Sequence, residues 1–228
     1  MKNSTLKKAI SDTVPVMAGY IVLGIAFGIL LENKGYNFIW AFAISFSVYA
    51  GSMQFVAVDL LSSGASLISA AIMTLMVNAR HLFYGISMLG KYKGIGKSKP
   101  YLIFSLTDET YALVCNGAPK GTNAKQYYLF VSIFNQLYWV TGSVIGSLIG
   151  SAITFNTAGI DFAMTALFIV IFTEQLLSNK DRIPAIIGVG SSVICLLIFG
   201  SSAFLIPSMI TITILLCIYG YIRKERAK

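Results

Sequence analysis

The sequence predicts an all-α protein, a polytopic bundle of helices embedded in a membrane. Of its 228 residues, 56% are hydrophobic and 11% are charged, and the mean hydropathy is +0.76. Soluble domains average about 25% charged residues, so this composition excludes an ordinary soluble domain. The apolar residues also form long uninterrupted runs, many of them close to the roughly 20 residues that a helix needs to cross a bilayer.

Eight apolar stretches account for most of the chain. They cover residues 13–31, 38–61, 66–89, 101–115, 126–153, 160–178, 184–200 and 203–222. Both ends of the chain are basic, and Lys and Arg concentrate on the cytoplasmic side of membrane proteins, so both termini are expected in the cytoplasm. Eight crossings satisfy this expectation but place the lysine-rich connection 90–100 outside. Six crossings with two re-entrant segments avoid that conflict, and both topologies stay open.

Arg80 is the one basic residue inside a long apolar stretch, whereas the other sixteen lie in the tails or in short polar connections. A guanidinium at bilayer depth costs about 2.5–3.5 kcal/mol on the insertion scale, so something must offset it. Arg80 either binds an anionic group of a substrate, pairs with an acid of the chain or snorkels to the interface. Asp59 is a candidate structural partner, and the neighbouring His81 is a candidate proton carrier because it titrates near neutral pH.

Three polar interruptions predict broken or re-entrant helices, near residues 50–54, 78–81 and 107–109. Gly-Ser pairs, such as the one at 51–52, are positions at which helices kink or unwind. Two adjacent carboxylates, Asp108 and Glu109, cannot both stay charged in lipid, so they are candidates for proton coupling. Their alternative role is structural, with one of them paired to Arg80 or placed at the start of a half-helix.

The domain organisation predicted is one integral membrane domain over 1–228. Two weak repeats, at about 13–89 and 126–200, are suggested by the similarity of residues 19–28 to residues 137–146. Both segments carry glycines four residues apart, a pattern of closely packed membrane helices.

Several functions are excluded or disfavoured. The formal net charge of +8 is that of a membrane protein with basic cytoplasmic segments, and no loop is long enough for a nucleic-acid-binding module. The sequence contains no P-loop, so no ATP hydrolysis by this chain is expected, and no motif of a hydrolase. The single His and the scattered acids predict neither a metal site nor another cofactor.

The ordered motifs resemble those of the AzlC family of branched-chain amino acid permeases. They are AGSMQF at 50–55, NARHLFYG at 78–85, TDETYA at 107–112 and GIDFA at 159–163, and the resemblance covers nearly the whole chain. One departure is Met164-Thr165, where a proline is expected soon after Phe-Ala. The resemblance implies an exporter of branched-chain amino acids in the plasma membrane, acting with a small AzlD-type membrane subunit. Members of the family are sometimes labelled ABC-type permeases, but nothing in this sequence indicates an ATPase partner.

These observations together predict a secondary active exporter for valine, leucine or isoleucine, coupled to protons, in the cell membrane of a bacterium. A scaffold or sensor subunit that does not transport is the alternative. The predicted substrate-binding residues are Gly51, Ser52, Gln54, Asn78 and Arg80. The predicted proton-coupling residues are His81, Asp108 and Glu109, with Asp59 as a structural pairing candidate.

Overall fold

In a computed structural model of the chain, residues 2–152 and 181–226 are described, together with 169, 172, 173, 176 and 177. The regular elements in these ranges are helices and no strand occurs among them, as the sequence predicts. The chain forms two compact units, Met1–Met164 and Thr165–Lys228. The motif at 159–163, Met164-Thr165 and most of the apolar stretch 160–178 lie outside the described residues.

Residues 2–152 of the first unit form two long α-helices, with six shorter α-helices and the 3-10 helix Gly96–Ser98 between them. The α-helices are α1 (Lys2–Asn33), α2 (Phe38–Ser47), α3 (Gly51–Ser62), α4 (Leu67–Val77), α5 (Ala79–Met88), α6 (Lys99–Phe104), α7 (Asp108–Val114) and α8 (Ala124–Ala152). In the second unit, α9 (Ile183–Ala203) and α10 (Leu205–Arg226) follow each other with one residue between them.

Within the described residues, three helices are long and apolar enough to cross a membrane: Ser4–Asn33 in α1, Ala124–Ala152 in α8 and Ile183–Gly200 in α9. The pair α4–α5, bent by 47°, adds a fourth span if it crosses as one unit. The described helices therefore do not confirm six to eight crossings. They are shorter than the apolar stretches because polar breaks divide several of those stretches into half-helices.

The frame of the first unit is the contact between α1 and α8, which approach backbone to backbone. A Cβ atom added at Gly28 would lie 2.1 Å from the carbonyl oxygen of Ser143, and one at Gly146 would lie 2.1 Å from that of Ile25. Such distances leave no room for any side chain, so glycine is required at both positions. The two glycine patterns recognised in the sequence thus lie against each other.

The shorter helices pack around this frame through two groups of buried residues. Near the glycines, the ring centroids of Tyr20 and Trp139 lie 5.5 Å apart, and those of Phe27 and Phe55 lie 5.9 Å apart. A second, apolar cluster brings α5, α6 and α7 together with the N-terminal halves of α1 and α8. Its buried members are Ala9, Met88, Tyr92, Ile95, Leu102, Leu106, Val114, Tyr127, Tyr128 and Val131.

In the second unit, α9 and α10 form an antiparallel pair closed by polar contacts at one end. Asp181, just before α9, accepts a hydrogen bond from the hydroxyl of Tyr219 at 2.6 Å and pairs with Arg223 at 2.7 Å. The Tyr219 hydrogen bond, assisted by Arg223, lowers the pKa of the Asp181 carboxyl. Arg223 of this ion pair is largely exposed.

Replacing Gly146 by Ala is expected to destabilise the protein, because the new methyl group collides with the backbone of α1. Overpacking of this kind costs about 1–3 kcal/mol. The measurement is the thermal unfolding midpoint of the purified protein in detergent.

The matched control is Gly19→Ala in α1, where an added Cβ meets nothing within 4 Å. It should leave the midpoint unchanged or raise it slightly, since Ala favours a helix more than Gly does. Equal midpoints for the two variants would contradict the close approach of α1 and α8.

Candidate functional site

Three short helices of the first unit begin close together. Each begins directly after a short non-helical segment that interrupts an apolar stretch. Helix α3 begins at Gly51, α5 at Ala79 and α7 at Asp108. Arg80 contacts Ser52 and Asp108 there, and Asn78 is the residue directly before α5. We call this meeting point the junction, and its members are Ser52, Asn78, Arg80 and Asp108.

The guanidinium of Arg80 connects the three helix starts. Its Nη1 lies 2.6 Å from Oδ2 of Asp108 in α7, and its Nη2 donates to Oγ of Ser52 in α3 at 2.8 Å. The side chains of Arg80 and Asp108 keep 31% and 29% of their surface exposed. The ion pair therefore lies at an accessible surface of the unit and not in its sealed core.

The local sequence explains each break. Tyr49, between α2 and α3, has a φ of +43°, in the left-handed region that residues other than Gly seldom adopt. Asn78 separates α4 from α5, whose axes differ by 47°. Thr107 is extended, and its hydroxyl caps α7 by accepting the N–H of Thr110 at 3.2 Å. The acidic first turn of α7 then suits the positive end of the helix dipole.

Gly51 and Gln54 belong to a buried layer that holds the α2–α3 break against α8. Oε1 of Gln54 accepts from Nε1 of Trp139 at 2.9 Å and from the N–H of Ala50 at 3.2 Å. Its Nε2 donates to Oγ of Ser45 at 3.0 Å. A Cβ added at Gly51 would lie 3.2 Å from the ring of Trp139. Both residues lie in the packed layer between α3 and α8, whereas Ser52 contacts the ion pair, and their contact with substrate stays a prediction.

Three buried polar atoms at the junction have no hydrogen-bond partner in the described part of the chain. They are Nε of Arg80, Oδ1 of Asn78 and Oδ1 of Asp108. A buried donor or acceptor left unpaired costs about 1–3 kcal/mol, and such groups are few in native proteins. The junction therefore offers one cationic donor and two acceptors, one of them anionic, to a small polar molecule.

Glu109, adjacent to Asp108 in sequence, contacts a different set of residues. Its Oε2 accepts a hydrogen bond from the hydroxyl of Tyr20 at 2.6 Å, and that hydroxyl lies 2.7 Å from Oγ1 of Thr107. Oγ1 of Thr107 lies 3.0 Å from that of Thr110, which accepts from Nδ2 of Asn135 at 2.9 Å. We call the hydroxyls of Tyr20, Thr107 and Thr110 the hydroxyl row. It links Glu109 to α8.

The other two residues singled out in the sequence lie beside the junction or away from it. Nδ1 of His81 lies 3.2 Å from the carbonyl oxygen of Asn78, and its ring meets that of Tyr84 edge to face. Asp59 is exposed. The expected Asp59–Arg80 pair is not formed, and Arg80 pairs with Asp108 instead. The reason is distance, because Asp59 lies about two helical turns beyond Ser52 along α3.

Sequence reasoning did not single out Tyr20 or Trp139. Both lie in long apolar helices. In sequence, Tyr20 is 89 residues from its partner Glu109, and Trp139 is 85 residues from its partner Gln54. The one available signal was general: a buried Tyr or Trp usually finds a hydrogen-bond partner for its polar tip. That rule predicts that a partner exists but does not identify it.

Comparison with known proteins identifies the family of the part of the chain that contains the junction. The family model described as "AzlC protein" matches residues 15–153, which include all three helix breaks and the whole junction. The chain belongs to the AzlC family. No solved structure matches it.

Several relatives of this AzlC-family chain are similar over most of their length. It is 46% identical over 210 residues to the branched-chain amino acid transport protein AzlC of Bacillus subtilis, covering 92% of this chain and 83% of that protein. It is 41% identical to an uncharacterised membrane protein of Helicobacter pylori, covering 93% and 94%. It is 27% identical to the inner membrane protein YgaZ of Escherichia coli, covering 79% and 75%.

Replacing Gln54 by Ala is expected to destabilise the protein, because it removes the acceptor of two buried N–H groups. Each unpaired group costs about 1–3 kcal/mol. The thermal unfolding midpoint in detergent measures the loss.

The control is Ser62→Ala, at an exposed position near the C-terminal end of the same helix, which should leave the midpoint nearly unchanged. If Gln54→Ala has the same unfolding midpoint as the wild type, the hydrogen bonds of Gln54 do not stabilise the segment between α2 and α3.

Proposed function

We propose that this AzlC-family protein transports branched-chain amino acids across the cell membrane, and that the junction binds the substrate. The observation that carries the proposal is the set of unpaired atoms at the junction, since a zwitterionic amino acid has the complementary charges. The name of the Bacillus subtilis relative, a branched-chain amino acid transport protein, supports the class of substrate.

The carboxylate of the amino acid is assigned to Arg80 and the helix starts. The first N–H groups of a helix have no partner within it and carry partial positive charge, which favours an anion. Discontinuous helices in transporters bind substrate carboxylates in this way. Arg80 adds a full positive charge. Its Nε–H is an unpaired donor, and the planar guanidinium fixes the direction in which this N–H points.

The ammonium group of the amino acid is assigned to Asp108 and Asn78. Oδ1 of each is a buried acceptor without a partner, and an ammonium has three donors. A substrate with both charges can therefore contact Arg80 and Asp108 at once. It does not change the total charge of the pair.

The direction and energy source belong to the same proposal. We assign export driven by the proton gradient, with His81, Asp108 and Glu109 as the titratable groups at or beside the junction. The chain works with a small membrane subunit of the AzlD type, as the family resemblance implies, and both termini face the cytoplasm, as the basic tails indicate.

A scaffold or sensor subunit is the rival function, and it is separated by reconstitution. The purified protein is placed in liposomes with and without the small subunit, and counterflow of labelled valine, leucine and isoleucine is measured. Flux above that of empty liposomes supports transport. Absence of flux in both preparations supports the rival.

Arg80→Ala is expected to abolish transport at low substrate concentration while the protein still reaches the membrane. Hydrogen bonds to charged groups contribute roughly 1.5–3 kcal/mol, so the apparent affinity should fall about tenfold or more. Initial rates of leucine counterflow over a range of concentrations measure the change.

The matched control is Arg223→Ala, which removes the exposed Arg223–Asp181 pair of the second unit and should leave the affinity unchanged. Normal counterflow by the Arg80 variant would remove the junction from consideration as the carboxylate site.

Analogues of leucine test the two charges separately. An amide in place of the carboxylate, or a hydrogen in place of the amine, removes one member of the zwitterion. Neither analogue should compete with labelled leucine for the wild-type protein, because each leaves one member of the Arg80–Asp108 pair unsatisfied. Competition by the acid without its amine, as strong as that by leucine, would exclude Asp108 and Asn78 from recognition.

A further inference from the structure

Two neighbouring carboxylates at the start of α7 have separate environments in the structure. Asp108 has a cation 2.6 Å away, whereas Glu109 forms no ion pair with any described Lys or Arg and accepts from a tyrosine hydroxyl. Building on the transport function proposed above, we infer that Glu109 alone carries the coupling proton. Tyr20, Thr107 and Thr110 position it through a row of hydrogen bonds in which the Tyr20 hydroxyl turns from Glu109 to Thr107 when the proton binds.

Charge balance favours Glu109 over Asp108 as the carrier. One guanidinium faces two adjacent carboxylates, and it contacts Asp108. A charged Asp108 is therefore compensated directly, while a charged Glu109, half-buried and without an ion pair of its own, depends mainly on hydrogen bonds. When two such carboxylates share one cation, the one without it is the one that takes up a proton most readily.

The substrate strengthens this division of roles. A zwitterion that contacts Arg80 and Asp108 brings one positive and one negative charge, so the pair stays neutral with or without it. Coupling to a proton gradient then needs a titratable group outside the pair but next to it. Glu109 follows Asp108 in sequence and lies outside the pair, so proton binding there can influence the junction without occupying it.

The hydroxyl row can satisfy both forms of Glu109. When the carboxylate is charged, the Tyr20 hydroxyl donates to Glu109, while the Thr107 hydroxyl and Nδ2 of Asn135 both donate to Oγ1 of Thr110. When the carboxyl is protonated, Glu109 donates to Tyr20, and the Tyr20 hydroxyl turns to donate to Oγ1 of Thr107, 2.7 Å away. A hydroxyl can both donate and accept, so Tyr20 has a partner for its proton in either form.

The other titratable groups around Glu109 do not replace it. Tyr20 reaches it from α1, Tyr49 from the α2–α3 break, and Arg80 and Tyr84 from α5. Asp108 is its neighbour in α7 and is paired with Arg80, and Asn135, the residue of α8 that donates to the row, does not titrate. Tyrosine hydroxyls release protons only far above neutral pH, so the tyrosines do not cycle there. His81 contacts Asn78 and Tyr84, and no hydrogen bond among the described residues joins it to Glu109.

The proton step is simple and balanced. A proton from water at one face of the membrane forms an O–H bond with a carboxylate oxygen of Glu109. After the conformational change, that bond breaks and the proton passes to water at the other face. No other bond changes, and the substrate moves without covalent modification.

The test compares two transport modes of Glu109→Gln in liposomes that contain the complete transporter. Accumulation of valine driven by a pH gradient should be lost. Counterflow, in which labelled and unlabelled valine exchange without a gradient, should continue near the wild-type rate. Asp108→Asn should lose both modes, because it removes the ammonium partner.

The matched control is Glu32→Gln, the same exchange at a carboxylate of α1 that binds the hydroxyl of Ser147. It should retain both modes. Gradient-driven accumulation by Glu109→Gln would overturn the inference, and so would loss of counterflow. Absence of counterflow in the wild type would instead contradict the proposed transport function.

Two further variants keep the inference testable if Glu109→Gln does not fold. Glu109→Asp retains a carboxyl and should keep gradient-driven accumulation, and its loss would contradict the assignment. Tyr20→Phe removes the hydroxyl that donates to the charged carboxylate. It should move the pH midpoint of accumulation upward and leave counterflow unchanged, whereas a merely structural Tyr20 would leave the midpoint where it is.

Discussion

The contact between the backbones of α1 and α8 is the constraint on which the rest of the first unit depends. Gly28 and Gly146 let the two helices approach until a side chain on either would collide with the other. This approach sets the places of Tyr20 on α1 and of Asn135 and Trp139 on α8. Because Trp139 holds Gln54 and Tyr20 holds Glu109, the frame fixes the two helix breaks that carry Ser52 and Asp108.

The junction combines requirements that oppose each other. A guanidinium deep in an apolar segment needs a counter-charge, and Asp108 provides it at 2.6 Å. If every polar atom of Arg80 and Asp108 had a partner within the chain, however, none would be left to bind a ligand. Here it is incomplete, since Nε of Arg80 and Oδ1 of Asp108 remain unpaired. The pair is stable enough to keep the three helix starts together and still has one free atom on each partner.

Much of this arrangement could be predicted from the sequence. Gly-Ser at 51–52, Asn78 and Thr107 mark the three breaks, since each residue type favours the end or the start of a helix. Arg80 was found as an isolated cation. The sequence does not identify its partner, because Asp59, Asp108 and Glu109 are all candidates and only the lengths of the helices decide which of them lies close to Arg80. The hydrogen bond that Gln54 accepts from Trp139 has no local signal in the sequence, because 85 residues separate the two.

The order of the ion-paired residues along the chain has a consequence for how the protein enters the membrane. Synthesis runs from the N-terminus, so α4 and α5 are complete before Asp108 exists, and α8 is made later still. Arg80 contacts Ser52 and Asp108 in the folded protein, and only Ser52 has already been synthesised when Arg80 inserts. The energetic penalty of a lone cation, about 2.5–3.5 kcal/mol on the insertion scale, falls on the nascent chain and is relieved only when α7 arrives. The short helices are thus inserted before the helix that will hold them.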